Sequence, residues 1–176
     1  MIFEYPRALS KEICLQLIKK IKSNNYSELI PSKSYLNDDC LEDPVIFSCV
    51  IDTIKISLSD YIHKTKFPVP MEGFSLRDIS PVENSKGLAE HTDPSILFDG
   101  EKRMIRPLVF LVFLNDNYNG GHLLFPKSKD IILPSTGKLC IFPAHFSFPH
   151  TALPSDRPRY ILRIELVVQE RYWLIL

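Results

Sequence analysis

His91-Thr92-Asp93 closes a β-prone run that starts at Leu88, and His150 begins a second such run much later in the chain. On an extended strand, residues two apart point to the same face, so His91 and Asp93 share a face. Two imidazoles and one carboxylate can occupy three adjacent corners of an octahedral Fe(II) site and leave three open. One H-x-D triplet alone is more often a polar turn, so the surrounding sequence decides its meaning.

The second part of the chain is rich in short β-prone runs separated by turn residues. Asn119-Gly120-Gly121 and Pro134-Ser135-Thr136-Gly137 are strong turn signals, because glycine accepts positive φ at low cost. The pattern predicts strands at 74–79, 88–92, 106–114, 122–125, 138–142, 150–151 and 160–168.

The first part of the chain has a helical pattern instead. Ser10 is a plausible N-cap before an apolar stripe at helical spacing, and Asp43-Pro44 starts a second helix that the prolines after Lys64 stop. Helices followed by many short strands predict an α+β, mainly β fold. We expect a distorted double-stranded β-helix, or jelly roll, braced by the N-terminal helices. We expect one domain over 1–176, with helical support in 1–70 and the β-helix core in 71–170.

Composition limits the partners and the compartment. Lys plus Arg equals Asp plus Glu at 21 each, which gives no electrostatic reason to expect nucleic acid or an anionic membrane as partner. The apolar runs are too short to cross a bilayer as helices, and the N-terminus does not resemble a secretory signal. The four scattered cysteines fit reduced thiols in the cytoplasm; they are Cys14, Cys40, Cys49 and Cys140.

An ordered series of short motifs resembles the Fe(II)/2-oxoglutarate-dependent dioxygenases, in particular the prolyl-4-hydroxylase-like branch. The resemblance spans roughly 74 to 168. Its motifs are His91-Thr92-Asp93, Phe113-Leu114-Asn115, Tyr118-Asn119-Gly120-Gly121-His122-Leu123-Leu124-Phe125-Pro126, Gly137-Lys138-Leu139-Cys140-Ile141-Phe142-Pro143, His150-Thr151-Ala152-Leu153-Pro154 and Arg157-Pro158-Arg159-Tyr160.

The resemblance implies roles for four residues. His91, Asp93 and His150 would be the iron ligands, and Arg159 would hold the distal carboxylate of 2-oxoglutarate. A planar guanidinium that keeps its proton suits bidentate binding of a carboxylate. The implied cofactors are Fe(II), 2-oxoglutarate as co-substrate and O2, with ascorbate as a supporting reductant.

Other histidines compete for the ligand positions. His145 is the main rival of His150, but the family pattern has its ligand four residues before a proline, which His150 and Pro154 satisfy. His122 is expected to be exposed or near the pocket rim, and His63 is expected on the surface.

Other arginines compete with Arg159. Alternation places Arg159 and Arg163 on one face of the last strand, where Arg163 is a second inward charge or the partner of Glu165. Arg157 is expected in the preceding turn.

The sequence departs from its relatives at the second donor to 2-oxoglutarate. The tyrosine that many relatives carry before the H-x-D motif is missing from 77–91, and Ser80 or Thr151 are the substitutes we consider. The charged segment 99–106 is either a solvated loop or a lid in which Arg103 or Arg106 meets an anionic substrate; Arg77 and Asp78 are alternative pocket residues.

The resemblance implies hydroxylation of an unactivated C–H bond, in a prolyl residue of a peptide or protein or in a free amino acid. The substrate is therefore either peptidyl or a small molecule. One alternative is a non-catalytic jelly-roll binding protein, whose signature would be the loss of a ligand. Another is a cupin-type metalloenzyme that does not use 2-oxoglutarate.

Overall fold

A computed structural model describes residues 1–23, 43–67 and 74–170, with the backbone alone for 74–82 and 99. Two helices are followed by a β-rich region, as the sequence predicts. The helices are α1 (Lys11–Ser23) and α2 (Pro44–Thr65). The strands are β1 (Phe3–Tyr5), β2 (Phe74–Glu83), β3 (Leu88–His91), β4 (Ile96–Asp99), β5 (Lys102–Phe113), β6 (Leu123–Phe125), β7 (Asp130–Ile132), β8 (Leu139–Pro143), β9 (His150–Ala152) and β10 (Tyr160–Gln169).

Both helices begin at the capping residues that the sequence indicates. The Ser10 hydroxyl accepts from the Ile13 N–H at 3.3 Å, and Asp43 accepts from the Val45 N–H at 2.9 Å. These contacts satisfy backbone donors that have no partner within the helix. α2 ends at Lys66, which takes a left-handed conformation with φ 55°. None of the described helices is long and apolar enough to cross a bilayer.

The strands form two antiparallel sheets. The larger has six strands in the order β1-β8-β5-β10-β2, with β4 paired to β5. The smaller has four strands in the order β3-β9-β6-β7. This arrangement agrees with the expected helix-braced jelly roll of one large and one small sheet.

Strand alternation divides the core into two layers. On β10, Leu162 and Ile164 belong to a cluster with both helices, whereas Ile161 belongs to a second cluster with residues of the small sheet. The large sheet therefore packs against the helices on one face and encloses the jelly-roll interior with the other.

Three short strands were not predicted, namely β1, β4 and β7. β1 pairs with β8 through Phe3↔Ile141, so the N-terminal segment expected to give helical support also contributes a strand. β4 and the start of β5 form a hairpin across Asp99↔Lys102. The segment 99–106 is thus part of a sheet, and the lid hypothesis does not describe its backbone.

Candidate metal centre

His91 and His150 come together through backbone pairing. β3 and β9 are antiparallel neighbours, and His91 and His150 are register partners across them. Their ring centroids lie 4.3 Å apart. Asp93, just after β3, places Oδ2 3.5 Å from Nε2 of His150. One ligand atom from each of the three residues lies within 4.8 Å of the others. The strand geometry thus gathers the predicted triad.

Each histidine is oriented by the carbonyl of the residue two positions before it in the chain. Nδ1 of His91 lies 2.8 Å from the Ala89 carbonyl oxygen, and Nδ1 of His150 lies 3.1 Å from the Phe148 carbonyl oxygen. With the proton on Nδ1, each ring donates to that carbonyl and keeps the Nε2 lone pair for a metal.

His150 stands in an apolar wall. Its ring centroid lies 4.9 Å from that of Phe142 and 5.4 Å from that of Phe125. Burial lowers the pKa of His150, an effect that the Phe148 carbonyl and Asp93 oppose. A neutral imidazole is the form that coordinates a metal.

Arg159 lies just before β10 and is 2% exposed. Nη1 donates to the Gly121 carbonyl at 2.8 Å, while Nε is buried and has no hydrogen-bond partner among the described residues. Burial lowers the pKa of Arg159. Within the described part of the chain, no carboxylate forms an ion pair with it. A buried cation in this state calls for an anionic partner.

Tyr118 lies close to Arg159, and the sequence analysis did not identify its hydroxyl as a candidate functional group. A Cβ on Gly121 would lie 2.7 Å from Cε2 of Tyr118 and 3.0 Å from Cδ of Arg159, so both side chains pack closely against this glycine. The Tyr118 hydroxyl is buried and finds no hydrogen-bond partner in the described part of the chain, and burial raises its pKa. Two orphaned donors therefore lie in the same region, and only the turn signal at Gly121 hinted at this close approach.

The turn before β6 is fastened to the segment before Arg159. Asp156 accepts from the backbone and side-chain N–H groups of Asn119, each at 2.7 Å. The Gly121 N–H donates to the Pro154 carbonyl at 2.9 Å. These contacts hold Gly121 beside Arg159.

A buried charge cluster adjoins the triad: Asp93, Arg106, Arg163 and Glu165. Arg106 is 2% exposed and pairs with Glu165, while its Nη2 lies 3.4 Å from Oδ1 of Asp93. Arg163 also pairs with Glu165, which confirms one of its two expected roles, and is 3.9 Å from the same Asp93 oxygen. Arg106 is therefore an internal residue, and the hypothesis that it meets a substrate from a lid is wrong. Arg103 pairs with Glu170 at 2.7 Å.

The rival histidines lie elsewhere. His145 is exposed in the loop after β8, and its Nδ1 accepts from the Ser147 N–H. His63 is exposed on α2, and His122 is half-buried before β6. Arg157 is exposed, as expected for a turn residue.

Thr151 and Ser80 are the two residues considered as a second hydrogen-bond donor to 2-oxoglutarate. Thr151 lies between His150 and Ala152 on β9, and strand alternation turns it away from the interior that those two residues face. The structure describes only the backbone at Ser80, Arg77 and Asp78, so the side chains of these three candidates are not among those described.

The donor set fits Fe(II). Two imidazoles and one hard carboxylate, with ligand atoms within 4.8 Å of one another, match this metal. The buried Arg159, which pairs with no carboxylate among the described residues, suits an anionic co-substrate. This fit rests on residues of the chain and requires no rearrangement of the strands.

The family model for the 2OG-Fe(II) oxygenase superfamily matches residues 78–164, which contain the whole triad and Arg159. The chain belongs to the 2OG-Fe(II) oxygenase superfamily. It is thus an enzyme that uses Fe(II), 2-oxoglutarate and O2. No curated protein sequence gives a significant match.

Solved structures with the same fold include three prolyl hydroxylases. The viral collagen prolyl hydroxylase of Paramecium Bursaria Chlorella virus-1, in its 2OG complex, has TM-score 0.62 at 19% identity, over 96% of this chain and 95% of that one. A Pseudomonas putida prolyl-4-hydroxylase has TM-score 0.62 at 16% identity, over 94% and 91%. A Trichoplax adhaerens prolyl hydroxylase, complexed with a hypoxia inducible factor peptide, has TM-score 0.64 at 16% identity, over 99% and 86%. At sequence identities this low, the similarity to these structures shows only that the chain has the double-stranded β-helix fold.

Proposed function

We propose that this oxygenase hydroxylates a prolyl residue in a peptide or protein, with iron held by His91, Asp93 and His150 and 2-oxoglutarate held by Arg159. The observation that carries the proposal is the convergence of the three ligand atoms within 4.8 Å of one another. Arg159 supports it, because this buried arginine pairs with no carboxylate among the described residues.

The triad residues act by presenting a fixed set of donors. The carbonyls of Ala89 and Phe148 orient the two imidazoles, so each Nε2 faces the ion without a change of tautomer. Asp93 supplies the single negative charge of the set. Bound iron supplies the oxidising chemistry, in which O2 and 2-oxoglutarate yield succinate, CO2 and one oxygen atom for the substrate C–H bond.

Arg159 binds and orients the co-substrate. A distal carboxylate would neutralise its buried charge and give the orphaned Nε an acceptor. With this end of 2-oxoglutarate held, its keto acid end would be the part available to bind the metal. Arg163 is less suited to this role because its guanidinium already pairs with Glu165.

The apolar wall formed by Phe125 and Phe142 excludes water from one side of His150. Exclusion of water protects a reactive site from side reactions. The site thereby suits abstraction of hydrogen from an unactivated C–H bond.

The three prolyl hydroxylases that share the fold support a prolyl substrate, and the peptide in the Trichoplax complex supports a peptidyl one. A free amino acid is the alternative small-molecule substrate. A non-catalytic jelly roll would have lost a ligand or the arginine, and this chain keeps all four. Three free cysteines among the described residues support a reducing compartment such as the cytoplasm.

The experiment is succinate formation from 2-oxoglutarate by anaerobically loaded Fe(II) protein on exposure to O2 and ascorbate. It is run with proline-containing peptides, their alanine counterparts and free proline. We expect turnover stimulated by the proline peptide, with a product heavier by one oxygen atom. His150→Ala should abolish turnover, whereas the exposed His145→Ala should keep it.

Two results would contradict the proposal. Equal turnover of wild type and His150→Ala would refute the ligand assignment. Stimulation by free proline and not by the peptides would refute the peptidyl substrate while leaving the oxygenase chemistry intact.

A further inference from the structure

The charge cluster places two arginines beside one of the proposed ligands. Arg106 and Arg163 both approach Oδ1 of Asp93, at 3.4 and 3.9 Å. Both also pair with Glu165, which is 1% exposed on the interior face of β10. Asp93 and Glu165 thus share the same two cations.

Arg106 is fixed by more than these ion pairs. Its Nε donates to the Pro94 carbonyl at 2.9 Å, and its backbone N–H donates to the Ser95 carbonyl at 2.8 Å. Arg106 therefore holds the segment that follows Asp93 and cannot move away from that carboxylate without breaking backbone contacts. Arg163 has a side chain that is 32% exposed and retains more freedom.

The two arginines compete with a bound metal ion for the Asp93 carboxylate, and Glu165 determines how strongly they do so. Without the charge of Glu165, Asp93 would be the described carboxylate left beside both arginines. A carboxylate that pairs with two guanidinium groups is a poorer ligand for a divalent cation, and the positive charge left uncompensated would also repel that ion.

We propose that Glu165 is a positioning residue for the metal site. By pairing with Arg106 and Arg163 and compensating one of their two positive charges, Glu165 keeps the Asp93 carboxylate available to the metal and sets the affinity for the ion. This inference rests on the proposed function, because it takes Asp93 as a ligand. It goes beyond that function by assigning a role to a residue that does not touch the metal.

The test measures metal binding without turnover. Mn(II) affinity is determined from the free-ion EPR signal, and Co(II) loading is followed by visible absorption, both without 2-oxoglutarate or O2. Glu165→Gln should weaken Mn(II) binding by about 10-fold or more, the usual effect of removing a group that orients a ligand. Glu165→Asp should recover part of the loss.

A second substitution separates positioning from support of the fold. Adding Arg163→Gln to Glu165→Gln removes one competing cation and should restore most of the Mn(II) affinity. Arg163→Gln alone, at a partly exposed position, should tighten Mn(II) binding. Glu4→Gln is the matched control, since it breaks the Glu4–Lys138 ion pair on β1 and should leave metal affinity unchanged.

The outcomes distinguish the inference from the function beneath it. If Asp93→Ala binds Mn(II) as tightly as wild type, the ligand assignment fails and the inference fails with it. If Asp93→Ala loses Mn(II) and Glu165→Gln does not, only the inference is overturned. If Glu165→Gln does not fold, Arg163→Gln decides: unchanged or weaker Mn(II) binding overturns the inference, and tighter binding with a shifted Co(II) spectrum supports it.

Discussion

Substitution of Gly121 by alanine should destabilise the fold and also displace Arg159, which lies against this glycine. Gly121 has φ +67°, where a side chain costs about 1–2 kcal/mol. Its new Cβ would lie 2.7 Å from the Tyr118 ring and 3.0 Å from Cδ of Arg159, and such overpacking costs about 1–3 kcal/mol. The free energy of unfolding should therefore fall by roughly 2–5 kcal/mol. Arg159 must shift, so 2-oxoglutarate binding should weaken by about 10-fold or more.

Gly100→Ala is the matched control for this experiment. Gly100 has φ +59°, and nothing lies within 4 Å of a Cβ built there, so the substitution adds backbone strain alone. We expect it to lose about 1–2 kcal/mol and to bind 2-oxoglutarate as wild type does. Urea unfolding followed by circular dichroism measures stability, and anaerobic calorimetry on the Mn(II) protein measures binding. The reasoning fails if the two variants have the same 2-oxoglutarate affinity.

Two further predictions follow from burial. Burial lowers the pKa of His150 in the folded protein. As the pH falls below about 6.5, this imidazole is therefore protonated in the unfolded chain before it is protonated in the folded protein, which favours unfolding. The metal-free protein should then lose stability between pH 7 and 5.5, and urea unfolding should show a smaller loss in His150→Gln. An equal loss of stability in wild type and His150→Gln would refute this. Burial also raises the pKa of Cys140 and raises that of Cys14 to about 11, so neither thiol should react with Ellman's reagent in the native Cys40→Ser/Cys49→Ser variant, although both should react in urea. Fast labelling of the native variant would contradict the packing described for these cysteines.

The sequence predicted much of the fold because its local signals agreed with one another. Asp43-Pro44 combines a capping carboxylate with a proline at the first helical position, and α2 begins there. The alternation around Ile161 and Leu162 placed the two faces of β10 correctly, since each face packs against a different apolar layer.

The apolar pattern of α2 was less informative. Val45 and Ile56 stand out as apolar in the sequence, yet they are 65% and 71% exposed, whereas Ile54 and Tyr61 are buried. This helix has apolar residues on more than one face, so periodicity alone does not select the buried one. β1, β4 and β7 are short strands whose pairing depends on distant partners, and no local pattern encodes such pairing.

The candidate site, like the fold, was predictable from the sequence only in part. The H-x-D spacing and the later histidine predicted residues that the strands do bring together. The role of Arg106 could not be found, because its charged neighbours 102 and 103 made the segment look solvent-exposed. Its partner Glu165 lies far away in sequence, and only the pairing of β5 with β10 brings them into contact.

The register of β3 has a consequence for how this chain can tolerate insertions and deletions. Its pairing with β9 shifts between Leu88 and His91, and Gly87 approaches the Ala152 carbonyl so closely that a Cβ would lie 2.4 Å from it. Adding or removing one residue between 88 and 91 would turn His91 to the opposite face of the sheet. A length change at the open turn around Gly100 would leave that face unaltered. Length variation should thus be absent from the first segment and permitted in the second, although both flank the same aspartate.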